Sequence, residues 1–251
     1  MQKKEIKKKI VKEHKGVKRS LSGFIKKGDQ EMLHQFRVGV KKLRAVATLI
    51  DETADDDHFR KDLKPIKETY QLSGKVRDSY LHIKLGKKVA APKGFISDEK
   101  ATLKKAARKL RKGRPHRLKM LRRSKKRMLK HILGAKNKHI DLFYKNELFE
   151  IGGCLSTSKG VEELHGCRKR LKVLIYNMPL VKDAITIVLN EDYLQRVQTA
   201  IGDWHDNVLA AEIFPELSEK SDALFKETKQ LTKDFYERAT TKAKALIEKT
   251  G

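Results

Sequence analysis

Aromatic residues are scarce, at 6% of the 251-residue chain, and none cluster within its basic stretches. That weakens any reading as a single-strand reader that stacks bases on aromatic platforms. No run alternates apolar and polar residues at strand length, and there are only five prolines, so helix is favoured over sheet. The two cysteines, Cys154 and Cys167, are too few for a disulfide framework. Cys167 falls on an apolar helical stripe and reads as a buried reduced thiol. Nothing approaches the ~18 consecutive apolar residues of a membrane span. The opening "MQKKEIKKKIVKEHKG" is basic but lacks the apolar core of a signal peptide. A soluble, cytoplasmic protein is expected, with no membrane role. Also absent are a phosphate-cradling G-x-x-x-x-G-K-S/T loop, a nucleophile elbow and an H-E-x-x-H pair, so no enzyme is expected.

Positive charge is abundant. Lys and Arg number 59 against 32 Asp and Glu, a net charge of +27, with pI near 10.0. Like charge on this scale repels itself in a compact state, and a polyanionic partner relieves the repulsion. Nucleic acid, an anionic membrane surface and inorganic polyphosphate all qualify; general solubility is the bland alternative.

Along the chain, Ile6, Ile10, Val17, Leu21 and Phe24 recur at helical spacing and predict an amphipathic helix over 3–24. Gly28 breaks it, and Asp29 is positioned to cap a second helix running to about Ile50. "DETADDD" reads as an acidic loop. A third helix is expected from Asp57 to Val89, with Pro65 near its start and Gly74 inside. "APKGF" is a linker, and 98–133 is helical with an interruption at Gly113 to His116. Between Lys104 and Lys138 there is no Asp or Glu. Further helices are expected over 138–151, over 164–178 closed by Pro179, from Lys182 past Asp206, and over 216–249. "GGCLSTSKG" reads as a loop.

Two motifs occur twice. "LHQFRVGVKKLRA" at Leu33 and "LHGCRKRLKVLIY" at Leu164 both read L-H-x-x-R-x-x-(V/L)-K-x-L. "GKVRD" at Gly74 and "GDWHD" at Gly202 both read G-x-x-(R/H)-D, and they follow the first motif at nearly equal spacing. Repeated order argues for duplication. The expected fold is all-α, with halves 1–133 and 134–251 of about four up-and-down helices each.

On a helix, each copy of the first motif separates into two stripes. Leu33, Phe36, Val40, Leu43 and Ala47 form one apolar stripe; Leu164, Cys167, Leu171, Leu174 and Met178 form its counterpart. His34, Arg37, Lys41 and Arg44 make a second stripe about a quarter-turn away, repeated by His165, Arg168 and Lys172. Those positions flank the core, where long cationic side chains bury their stems and send their heads into a groove. One alternative is a plain solvated face. Another is an ion pair in which Asp78 and Asp206 hold Arg37 and Arg168, which would orient them for binding. A metal reading fits poorly. Neither His34 nor His165 has a carboxylate or second histidine at a helical ligand offset, and both are ringed by cations. His205, next to Asp206, is a support residue on this reading.

L-H-x-x-R-V-x-x-K-K-L-R-A at Leu33, L-H-x-x-R-K-R-L-K at Leu164 and I-G-D-W-H-D at Ile201 resemble the CHAD domain, the conserved histidine α-helical domain, over essentially the whole chain. The resemblance implies two four-helix bundles related by a pseudo-two-fold and a basic groove or pore between them that binds inorganic polyphosphate. It implies a stand-alone member, since the E-x-E-x-K signature of the triphosphate tunnel domain that precedes some members is missing. Val173, Ile175 and the exchange of Arg77 for His205 depart from symmetry. Polyphosphate contacts are expected from His34, Arg37, Lys41, Lys42 and Arg44, and from His165, Arg168, Lys169 and Lys172. Arg108, Arg111, Arg122, Arg123, Arg127 and Lys130 are expected to add to them. Arginine grips phosphate oxygens through two N–H groups, and lysine supplies a mobile point charge. The implied function is non-enzymatic polyphosphate binding, with targeting to polyphosphate granules. Non-specific nucleic-acid binding and a metal-dependent phosphohydrolase are the competing readings.

Overall fold

The computed structural model describes residues 2–54, 58–158 and 160–240. Every regular element among them is helical, so the all-α expectation holds. The chain divides into two compact units, Gln2–Gly134 and Ala135 onward.

In the first unit, α1 (Lys3–Lys27) ends at Gly28, whose φ of 75° is the left-handed conformation that suits glycine. α2 (Gln30–Thr53) starts where the sequence places its cap: Asp29 accepts the backbone N–H groups of Glu31 (2.8 Å) and Met32 (3.3 Å). A 3-10 turn at Arg60–Ile66 precedes α3 (Lys67–Lys88), so Pro65 lies in the turn and not in the α-helix. Gly113 divides the next helical stretch into α4 (Lys93–Lys112) and α5 (Arg114–Lys130). The division lets the two pieces take different neighbours. α4 packs along α3, and α5 packs on α1 and the 3-10 turn. Buried Arg117 fixes the bend, donating to Glu68, Thr69 and the Lys109 carbonyl. His131 closes the far end of α5 on buried Asp62 at 2.8 Å. Leu33, Phe36, Val40, Leu43 and Ala47 are all fully buried, as are Ile6, Ile10, Val17 and Leu21 on α1, which packs along α2. Each such Leu, Ile or Phe contributes about 1.5–3 kcal/mol of transfer free energy.

In the second unit, α6 (Asn137–Thr157), α7 (Val161–Val181), α8 (Glu191–Ile213) and α9 (Ser218–Thr232) pack around Tyr144, Leu148, Leu164, Leu171, Leu174, Tyr193 and Val197. A short α10 (Phe235–Thr240) follows, and the rest of the helix expected to reach Lys249 lies outside the described residues.

Several boundaries differ from expectation. Pro179 does not close α7; it lies inside the last turn of that helix, where it removes little of the hydrogen-bond ladder. Residues 182–190 are irregular, because α8 begins only at Glu191, where the Asn190 side chain caps it by accepting the Tyr193 N–H. The backbone N–H of Asn190 is meanwhile spent on Ala239 of α10, at 2.7 Å. α6 runs through Gly152 and Gly153 to Thr157, and this overturns the reading of the cysteines. With Cys154 on a helix and not in a loop, its Cα stands 6.3 Å from that of Cys167, and the two form a disulfide. Cys167 is buried as expected but is not a reduced thiol.

Candidate anion-binding faces and family

The repeated motifs share one packing device. In the first unit, Arg37 on α2 reaches across to α3 and donates from Nη1 to the Tyr70 carbonyl at 3.1 Å and the Ser73 hydroxyl at 3.4 Å. In the second, Arg168 on α7 reaches α8 and donates from Nε to the Gln198 carbonyl at 3.2 Å. Tyr70 and Gln198 each stand four residues before the motif glycine, Gly74 or Gly202. A Cβ on Gly74 would lie 2.9 Å from Arg37 Nη1, and one on Gly202 would collide with Arg168 Nη2. The glycine of G-x-x-(R/H)-D is therefore a notch for the arginine of L-H-x-x-R. A carbonyl has two lone pairs, so it takes the guanidinium N–H in addition to its own helical partner.

The expected ion pairs are not formed. Asp78 and Asp206 are exposed, and the arginines bond backbone carbonyls, with Arg37 also reaching the Ser73 hydroxyl. Asp206 instead lies 3.7 Å from His205 Nδ1, beyond hydrogen-bond reach. Since a guanidinium carries five N–H donors, each arginine keeps donors for an anion while acting as a helix fastener.

Beyond the fastener the two faces diverge. On α2–α3, Arg37 and Arg44 both lie over the Tyr70 ring, at 4.7 Å and 4.1 Å from its centroid. Arg77 covers Tyr80 at 5.5 Å. His34 is half-buried; burial lowers its pKa, and the charge of Arg77 lowers it further. Lys41 and Lys42 are half-buried and Arg44 is exposed. Tyr70 was invisible as a site residue in sequence, because a lone Tyr carries no motif. Its place four residues before Gly74 is the signal.

On α7–α8, His165 stacks on His205, ring centroids 4.3 Å apart and planes 30° apart. Both Nδ1 atoms are buried without a hydrogen-bond partner among the described residues. Burial holds the His165 pKa down to about 4, with His205, Lys169 and Arg168 adding repulsion. Lys169 is exposed, and Lys172 is half-buried.

The remaining predicted cations are on α4 and α5. Arg108, Arg111, Arg122, Arg123 and Lys130 are exposed and Arg127 is half-buried. Arg111 crosses the end of α1, its Nη2 2.9 Å from where a Cβ on Gly28 would stand. α4, with Arg108 and Arg111, packs along α3, whereas α5, with the others, packs on α1 and the 3-10 turn.

Charge follows the same division. Residues 1–134 hold 41 Lys and Arg against 14 Asp and Glu, which is the whole +27; residues 135–251 hold 18 of each. Counting by half would have exposed this in the sequence. Among the described residues, no group of three or more His, Cys, Asp or Glu is placed to hold a metal ion, and no helix is long and apolar enough to cross a membrane.

The CHAD domain profile matches this chain twice, over residues 10–136 and 92–215. The chain belongs to the CHAD family. Polyphosphate binding is the known property of CHAD domains. The double match agrees with a duplicated all-α CHAD architecture, and the two matches share residues 92–136, the region of α4 and α5. No curated protein and no solved structure matches the chain.

Proposed function

We propose that this CHAD protein binds inorganic polyphosphate without hydrolysing it, chiefly through the α2–α3 face, and that it associates with polyphosphate granules. The observation that carries this is the cation set Arg37, Arg44 and Arg77, placed around Tyr70 and Tyr80 with no carboxylate among the described residues bonded to any of them. Stacking on the rings and bonding to Tyr70 fix the guanidinium planes before ligand arrives, which lowers the entropic cost of gripping phosphate. Tyr70 and Tyr80 serve as supports under the arginines, so no base-reading role is needed for them. Family membership supports the ligand class, and the charge division supports the choice of face.

Displacement of labelled long-chain polyphosphate at about 150 mM salt, where long-range steering is screened, tests the reading. Unlabelled polyphosphate should displace it at far lower charge concentration than heparin. Equal displacement by both would mean a diffuse cationic field with no shaped site. Release of phosphate from polyphosphate in the presence of divalent metal ions, lost in His34→Ala or His205→Ala, would replace binding with catalysis.

A further inference from the structure

The first unit carries a second row of cations that the α2–α3 face does not use. α1 and α5 run antiparallel: His14 Nε2 meets Met128 Sδ at 3.4 Å, while Arg111, just before α5, crosses the far end of α1 at Gly28. Lys125 faces His14 closely enough to lower its pKa, second only to burial. At about 100° per residue, Lys7 and Lys18 lie about 20° and 40° from His14 around α1, and Arg122 lies about 60° from Lys125 around α5. The seam between the helices is thus lined by Lys7 and Lys18 on one side and Arg122 and Lys125 on the other. All are exposed except half-buried Lys125, and none has an ion pair among the described residues. α5 has no Asp or Glu. On α1, Glu13 is bonded to Lys9, on the flank away from His14.

This seam is not an extension of the α2–α3 face. Gly39 of α2 admits Val17 of α1, a Cβ there falling 2.6 Å from Val17 Cγ2. Lys41 stands about 160° around α2 from Gly39, on the opposite flank. α1 therefore separates the two cation sets.

We propose that the α1–α5 seam is a second polyanion site and that it takes the phosphate backbone of double-stranded nucleic acid. Two packed helices with axes about 8–10 Å apart present two rows of cations. A duplex offers two rigid rows of phosphates, whereas a single flexible phosphate chain can satisfy only one row at a time without folding back. The one aromatic residue on α1 or α5, Phe24, is buried, so the seam offers nothing to stack on bases, and binding is by backbone and independent of sequence. The two faces would let one molecule hold polyphosphate and nucleic acid together. The seam stands on its own geometry and does not depend on polyphosphate being the ligand of the other face.

The test uses the full chain carrying Lys18→Gln, Arg122→Gln and Lys125→Gln, with fluorescence anisotropy on a duplex of about 20 base pairs at several salt concentrations. Duplex affinity should fall more than about tenfold, and the log–log salt slope should become shallower by about three. Polyphosphate affinity should stay within about threefold. Wild-type protein saturated with polyphosphate should still retain duplex in a gel shift. Unchanged duplex binding, equal losses for both ligands, or displacement of duplex by stoichiometric polyphosphate would each overturn the proposal. Should the triple variant lose its helical circular dichroism, Lys7→Gln/Lys18→Gln on α1 alone tests the same fall in duplex affinity with polyphosphate affinity unchanged. Wild-type protein that binds duplex but no polyphosphate would sink the function proposed above and leave the seam standing.

Discussion

The two halves of this chain repeat the same fastener and then part company. In both, an arginine three residues after a histidine bonds a carbonyl on the next helix through a glycine notch. In the first half the surrounding positions are cations laid on tyrosines, and the net charge is +27. In the second, a stacked histidine pair takes the place of that cluster, Arg77 gives way to His205, and the net charge is zero. Packing has been retained in duplicate while charge has concentrated on one copy. A repeated motif is therefore a guide to the fold of both halves but not to equal shares of the binding.

The largest expected effect tests stability in the second half alone. Cys154→Ser removes a bond closing a short loop between α6 and α7 and should cost about 3 kcal/mol. Trp204, the only tryptophan, lies in that unit, so the loss should appear as an earlier fluorescence transition in urea. Dithiothreitol should reproduce it in the wild type and leave the variant unchanged.

In the first half, acid should act through His14. Its folded pKa is lowered from 6.5 to about 4 by burial and by Lys125. Protons then bind the unfolded chain first, so stability is full above pH 6.5 and falls as pH drops towards 4, by up to about 3 kcal/mol. His14→Leu should flatten that slope in urea midpoints measured across this range.

Binding should be less evenly shared than packing. Arg44→Glu with Arg77→Glu should weaken polyphosphate binding by more than about tenfold, or 1.4 kcal/mol, in titration calorimetry. Lys169→Glu with Lys172→Glu in the second half should change it by less than about threefold. Equal losses would restore two matched sites.

Smaller effects probe the fasteners and the exchanged residue. Gly202→Ala should cost about 1 kcal/mol: displacing Arg168 loses a charge-assisted hydrogen bond of about 1.5–3 kcal/mol, against a helix-propensity gain near 1. Gly74→Ala should match it, since both notches do the same job, and paired thermal melts would show any difference. His205→Arg copies the first half's residue into the second, and a rise in polyphosphate affinity of about two- to threefold at neutral pH is expected.

Much of the fold was legible because its apolar residues keep helical spacing. The buried stripes on α2 and α7, the Asp29 cap and the break at Gly113 were all readable locally. What was not readable depended on tertiary partners. The late start of α8 goes with Asn190 bonding to α10, and the helical run through Gly152 and Gly153 goes against their low helix propensity. The disulfide was hidden for the same reason, since it needs Cys154 on that helical run. At the candidate site, the motif arginines and histidines were legible by repetition. Their partners were not: an attraction between opposite charges pointed to Asp78 and Asp206, whereas the arginines bond backbone, and backbone acceptors leave no trace in residue identity.

The glycine notches bear on how the chain acquires its shape. Gly74 and Gly202 sit inside α3 and α8, where a glycine costs about 1 kcal/mol of helix relative to alanine. Each helix is therefore weakest at the point where its neighbour's arginine docks. Alone, α8 should fray around Gly202 and become a full helix only when Arg168 bonds the Gln198 carbonyl. Helix formation and helix pairing then become a single event. A peptide spanning α7 and α8 together should gain more helicity than the two separate peptides combined.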